Sequence, residues 1–386
     1  MMRIIVAPDS YKGSMSSAEA CAAIESGVKD YDPSYHIESI PIADGGEGTV
    51  EALVTILEGE IILEKVFDPL GREVTAEYGW INETKTAIVE TAAASGLPRL
   101  KEEELKPSAA STYGTGQLIQ AALERGAKRI ILGLGGSATV DAGTGCFQAL
   151  GVKFLNDEGK ELEMNGKALQ HVTKIETDTI SELSNQVEWI IASDVTNPLL
   201  GPEGAISVFG PQKGVSAAHL TEFESGMERY ASVVEQHTEK VVRNYEGSGA
   251  AGGFGFTLFS LLENLKVESG FELIAKQGEL EKLISDADLV ITGEGKIDTQ
   301  TLYGKGPIGI ARLARKARVP CIAFTGKSEG DMRRAKDEGL LSVLPIVDEP
   351  MTLKEAMESG PELLRKASRR CMEIYHLKQG KGEIHK

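Results

Sequence analysis

Short apolar runs that end in glycines, acids and hydroxyls and lead straight into helical patterns recur along this chain, and no other feature limits its fold as strongly. "RIIVA" at 3–7 passes through "PDSYKGS" into "SSAEACAAIESGV", where Cys21, Ile24 and Val28 share one helical face and Ser16 with Glu19 forms a capping box. "HIESIPIA" passes through "DGGEG" into a helix with Val50, Leu53, Val54 and Leu57 on one side. In the last third "ADLVITG" leads into "EGKIDTQTLYGKG" and a helix from Pro307, "VPCIAFTG" leads into "KSEGDMRRAKDEG", and "LLSVLPIV" precedes a long final helix. Strands alternating with helices imply an α/β chain with a mostly parallel sheet covered on both faces. The last residues, "KQGKGEIHK", read as a frayed tail.

The middle has another texture. After "FDPLGREVTAEYGW", turn signals and alternating polar and apolar residues predict antiparallel strands. "GTGQLIQAALERG" reads as a helix closed by Gly126, "AKRIILGLGG" as a strand, and "SATVDAGTGCFQAL" as a loop and helix. A charged surface helix is expected between "FGPQKG" and "GSGAAGGFG". With 386 residues, at roughly 150 per domain, the chain is expected to form two domains.

The net charge of −17 argues against nucleic acid or an anionic membrane as partner, because a polyanion is held by a basic patch. The four cysteines, Cys21, Cys146, Cys321 and Cys371, are far apart and form no CxxC, as expected of reduced thiols in a cytoplasmic protein. No HExxH, close His/Cys set, secretory signal or long apolar span is present in the sequence. Glycine, at 43 residues, exceeds the usual share of about 7% and clusters in the loops.

Ligands of open α/β sheets bind beyond the carboxyl ends of strands, where helix N-termini converge. Five loops mixing glycine with acids or hydroxyls are expected there: "APDSYKGS", "IADGGEGT", "LGLGGSATVDAG", "ASDVTNPL" and "TGEGKIDTQT". Any one of them is explicable as a turn plus a helix cap; together they point to a site for an anion and a metal. "CIAFTGKS" has Gly326, Lys327 and Ser328 but Cys321 where a Walker A loop needs its first glycine. "GLGGSA" at 133–138 satisfies GxGxx[GA], with Asp157 about 20 residues on, so a dehydrogenase of a small hydroxy acid using NAD(P) is the competing reading. That reading leaves the other four loops without a role, and a ligand sensor without catalysis leaves the acids without one.

The ordered set "APDSYKGS", "PIADGGEGT", "GLGGSATVDAGTG", "SDVTNPLLG" with "VFGPQKG", "GAAGGFG" and "TGEGKIDTQTLYGKGP" resembles the type 1 glycerate kinase family over nearly the whole chain. The resemblance implies transfer of the ATP γ-phosphoryl group to D-glycerate with Mg²⁺, giving 2-phosphoglycerate in the common case and 3-phosphoglycerate in others. It also implies a flavodoxin-like, doubly wound domain built from both chain ends, expected at 1–70 and 285–386. A second α/β domain, expected at 71–284, is inserted into it, with the active site in the cleft between them. The protein is expected to be a monomer or homodimer.

Residue type and loop position suggest the roles. Asp194 is the expected general base, with Lys12 and Asp44 completing the catalytic set. Ser10, Ser14, Asn197 and Lys213 are expected to bind substrate, Lys213 as a phosphate contact. Gly135, Gly136, Ser137 and Thr139, with Gly293 and Gly295, are expected at the nucleotide, and Asp194, Glu47 and Asp298 at the metal.

Overall fold

The computed structural model describes residues 2–298, 306–329 and 333–376. The expected tail and parts of "DTQTLYGKG" and "SEGDMR" lie outside them. The fold is α/β, and the chain divides into two compact units, Met1–Ala43 with Phe271–Lys386, and Asp44–Gly270.

The first unit holds a five-stranded sheet in the order Leu340–Pro345, Cys321–Ser328, Leu289–Ile297, Arg3–Val6, His36–Ser39, every neighbouring pair parallel. Counting these five strands along the chain gives the spatial order 2-1-3-4-5 of flavodoxin-like sheets. Such an order reverses direction between Arg3–Val6 and Leu289–Ile297, where a ligand crevice is expected. Ile4, Ile5 and Val6 are fully buried because a central parallel strand is covered on both faces. Each buried side chain contributes about 1.5–3 kcal/mol.

Helix Ser17–Tyr31 begins at the expected capping box: Ser16 Oγ accepts from the Glu19 N–H, and Glu19 Oε2 accepts from the Ser16 N–H. "TGEGKI" differs from expectation. It does not loop out but stays in the strand Leu289–Ile297, paired through Ile297 with Ser328, and Gly326 and Lys327 belong to that partner strand. The GKS triplet is therefore extended backbone and not a phosphate loop.

The second unit holds a six-stranded sheet ordered Leu265–Glu268, Glu188–Ala192, Arg129–Gly133, Thr86–Glu90, Glu73–Ile81, Glu60–Phe67. The first four are parallel and the last three form the expected antiparallel meander. Its core includes Trp80, Trp189, Phe147, Phe154, Tyr230 and Phe254. The charged helix spans Leu220–Thr238 and buries Met227, Tyr230, Ala231 and Val234.

The unit boundaries fall at 43/44 and 270/271, away from the expected 70/71 and 284/285. Helix Thr49–Ile56 accounts for the first shift: its Val54 packs so closely on Gly79 that a Cβ there would lie 2.6 Å from the Val54 methyl. Phe271 accounts for the second, since its ring packs on Gly309 of the helix Pro307–Ala317. All four cysteines are buried and none is in a disulfide. Among the described residues no helix is long and apolar enough to cross a membrane.

Replacing the cap, Ser16→Ala, is expected to lower stability by about 1 kcal/mol in denaturant unfolding without changing turnover.

Candidate active site

Four parallel strands of the second unit end in register. Glu90 pairs with Gly133, Gly133 with Ala192, and Ala192 with Glu268, so one row of residues closes the sheet. The loops "LGGSATVDAG" and "SDVTNP" leave from that row. Across it lies "DGGEG". Gly45, at φ +89°, sits where a Cβ would approach the Ala192 carbonyl oxygen to 2.7 Å, so only glycine fits. The Gly45 carbonyl accepts from the Gly135 N–H at 3.3 Å, and the Leu134 N–H donates to Ala192 O at 3.4 Å. Residues expected at the nucleotide, the metal and the base thus belong to three loops gathered at one sheet edge.

Within the glycine loop the amides divide. Gly135 is turned to Gly45, whereas the N–H groups of Gly136 and Ser137 donate to no acceptor among the described residues. Two successive free amides are the kind of donor pair that binds an anion. Beneath them Lys213 is 2% exposed and donates from Nζ to Ser137 Oγ at 2.7 Å and Thr139 O at 2.8 Å. Lys213, expected to touch a phosphate, instead braces the loop from below, and Thr139 is fully buried beside it. Burial pushes the Lys213 ammonium down to about 7, partly opposed by Asp141.

Asp141 is fully buried and takes hydrogen bonds from Thr112 N and Oγ1 at 2.8 and 2.7 Å and from the Gly143 and Gly145 N–H groups at 3.2 Å. It fixes the far end of the same loop. "GAAGGFG" abuts that end: Ala251, Gly252 and Gly253 all adopt positive φ, and the Gly252 carbonyl accepts from the Ala142 N–H at 3.1 Å.

The acids differ in setting. Asp44 and Glu47 are exposed, with Asp44 Oδ1 accepting from the Gly46 N–H at 3.2 Å. Asp194 is half-buried with both carboxylate oxygens shielded from solvent. Asn197 is committed to the fold, its Nδ2 donating to Glu203 O at 2.8 Å and its carbonyl accepting from the Gly249 N–H. Glu90, absent from the sequence-based set, is buried and accepts from the Val50 N–H at 2.7 Å. Burial is the largest cause pushing it up to about 7; Glu47 and Glu77 add, and the Val50 and Gly48 N–H groups oppose.

In the first unit "PDSYKGS" and "TGEG" meet at the switch point. The Asp9 N–H donates to Gly293 O at 2.8 Å, and the Tyr11 hydroxyl donates to Phe324 O at 3.0 Å. Gly293 and Gly295 lie against Tyr11, so both serve close packing of the two segments. Burial, with Glu294 and Asp9 nearby, raises the Tyr11 phenol far above its usual range. Ser14 Oγ donates to Met357 O at 2.7 Å and anchors the loop. Ser10 Oγ is buried without a partner among the described residues. Lys12 is exposed and makes no ion pair among them. Asp298 is bound by Lys296 at 2.8 Å.

The dehydrogenase reading fails on topology. Strand Lys153–Leu155, which leads to Asp157, pairs antiparallel with Lys174–Glu176 in a separate two-stranded sheet, and Asp157 sits exposed in a turn. The helix after "GLGGSA" starts only at Thr144, so no phosphate-binding helix opens at the glycines.

The Glycerate kinase family model matches residues 4–376. The chain belongs to the glycerate kinase family. It is similar to the Glycerate kinase of Halalkalibacterium halodurans, at 42% identity over 96% of this chain and 97% of the relative. The Bacillus subtilis Glycerate kinase is 41% identical and the Escherichia coli Glycerate 2-kinase 40% identical, each over 95% of this chain and 96% of the relative. A crystal structure of a protein designated glycerate kinase 2 from Salmonella typhimurium LT2 matches with a TM-score of 0.85 and 38% identity, over 98% of this chain and 99% of that one. Family membership makes the chain a phosphotransferase with an alcohol group as acceptor.

Because the folded state favours neutral Lys213, the unfolded chain binds the extra proton between about pH 7 and the ordinary 10.5, and stability rises with pH across that window. Unfolding followed from pH 7 to 10 should show this rise in the parent and its loss in Lys213→Met; parallel curves would place the ammonium in solvent.

Proposed function

We propose that the chain transfers the γ-phosphoryl group of ATP to the 2-hydroxyl of D-glycerate with Mg²⁺, giving 2-phosphoglycerate and ADP. The observation that carries this reading is the pair of free amides at Gly136 and Ser137, held rigid over Lys213, with exposed carboxylates on the adjoining loop. Phosphoryl transfer asks a protein mainly to position two anions and offset developing charge. Anion-directed amides beside acids meet both needs. The name of the Escherichia coli relative, Glycerate 2-kinase, supports the 2-position.

The residues take these parts. The Gly136 and Ser137 N–H groups bind nucleotide phosphate oxygens. Lys12, free of any ion pair among the described residues, meets the glycerate carboxylate or the transferring phosphoryl group, with the unpartnered Ser10 hydroxyl beside it in sequence. Asp194 accepts the proton as the substrate oxygen forms its bond to the γ-phosphorus and the bond to the β-phosphate oxygen breaks.

Among the described residues no three His, Cys, Asp or Glu side chains cluster as a metal cage. That donor set still fits Mg²⁺, which keeps several waters and takes one or two carboxylates beside substrate phosphates. Asp44 and Glu47 would hold it; Asp298 is engaged by Lys296. When bound, the ion would offset the charge on the phosphate groups. The four buried cysteines, none in a disulfide, support a reducing, cytoplasmic setting.

A coupled ADP assay with D-glycerate and MgATP tests the reading: turnover is expected, and its absence would defeat it. Asp194→Asn should lower kcat by about 100-fold or more while preserving the fold; retained turnover would move the base to Asp44. Lys12→Ala should lower kcat and raise the KM for glycerate, and a change confined to the ATP KM would reassign it.

A further inference from the structure

Glu90 ends the strand Thr86–Glu90, whose five residues are all buried. An acid in that position needs a partner, and it has one: the Val50 N–H, at the start of the eight-residue helix Thr49–Ile56, donates to Glu90 Oε1 at 2.7 Å. The first amides of a helix are the ordinary seat for a phosphate or other anion, since they have no acceptor within the helix and the helix dipole favours negative charge there. In this chain the seat is filled from within. Gly48, the residue before the helix, offers no side-chain cap, so Glu90 supplies the missing acceptor from another strand.

The same side chain also lies along the closing row of the sheet. Glu90 pairs in register with Gly133, and its Cγ lies 3.7 Å from where a Gly133 Cβ would stand. Glu90 therefore touches both the helix that "DGGEG" leads into and the strand that feeds "GLGGSA". Two glycine loops of similar composition are thereby given opposite characters. "GLGGSA" leaves the Gly136 and Ser137 amides free for an anion; "DGGEG" has amides at its helix end closed off and presents Asp44 and Glu47 outward.

We infer that Glu90 is a positioning residue: by capping helix Thr49–Ile56 from inside it excludes phosphate from that helix start and holds the "DGGEG" loop so that Asp44 and Glu47 face the nucleotide. The kinetic part rests on the proposed phosphoryl transfer; the clamp itself does not. Glu47 and Glu77 are the charged groups acting on Glu90, and both disfavour its anion, whereas the Val50 hydrogen bond and the nearby Gly48 N–H favour it. The carboxyl, pushed up to about 7 largely by burial, is consistent with a group retained for its place in the fold.

Glu90→Gln keeps the shape and one acceptor, and Glu90→Ala removes both. Hydrogen exchange at the Val50 amide should quicken about 10-fold in Glu90→Gln and further in Glu90→Ala, with exchange in strand Arg129–Gly133 unchanged. In steady-state kinetics the KM for MgATP should rise about 10-fold in Glu90→Gln while that for D-glycerate stays within about 2-fold. A parental exchange rate at Val50 in Glu90→Gln would overturn the clamp. A uniform fall in kcat with both KM values unchanged would reduce Glu90 to a purely structural group and overturn the positioning role. If the parent failed to phosphorylate glycerate while the exchange effect appeared, the functional reading would fall and the clamp would stand; should Glu90→Ala not fold, Glu90→Gln alone decides.

Discussion

Main chain packed directly on main chain governs the second unit. Where Gly45 meets the Ala192 carbonyl, no side chain can intervene, and the loop that carries Asp44 and Glu47 is pressed onto the row Glu90, Gly133, Ala192, Glu268. Parallel pairing makes that row straight, and the row makes three loops leave from one edge. Everything chemical in this unit depends on the contact: displaced by the width of a methyl group, the acids and the free amides would no longer share an origin. Gly45→Ala would demand both a strained left-handed alanine and a 2.7 Å approach.

Charge is arranged in two tiers. Buried groups brace the loops: Lys213 under Ser137 and Thr139, Asp141 behind Thr112 and Gly143, Glu90 at the start of helix Thr49–Ile56. Lys12, Asp44 and Glu47 form the other tier and are exposed. A buried charged or polar group is costly unless its hydrogen bonds are made, so the bracing tier also resists loop movement. The result is preorganisation, the property that phosphoryl transfer chiefly requires of a protein.

The fold class was legible because strand and helix periods differ and alternate plainly from "RIIVA" to "LLSVLPIV". The units' limits were less so, since nothing in the apolar face of Val50, Leu53 and Val54 says which sheet it covers; Gly79 decides that, and it lies 25 or more residues away in the chain. "TGEGKI" looked like a loop because glycine is poor in strands, yet pairing with "FTGKS" keeps it extended. At the site, sequence picked out loops that the fold gathers at strand ends, but not the direction of each side chain. Lys213, Ser14 and Asn197 are polar residues in glycine-rich surroundings, and all three turn their polar groups to the protein's own main chain or hydroxyls. Glu90 carried one signal, an acid closing the otherwise apolar "TAIVE", and Asp141 carried almost none.

The central claim is that the nucleotide phosphates lie on the free amides of the glycine loop. A crystal structure with D-glycerate, Mg²⁺ and a non-hydrolysable ATP analogue tests it most directly. Phosphate oxygens are expected within about 3.2 Å of the Gly136 and Ser137 nitrogens, with none at the Gly48 or Val50 nitrogens. A triphosphate seated at the start of helix Thr49–Ile56, with Glu90 displaced, would contradict it.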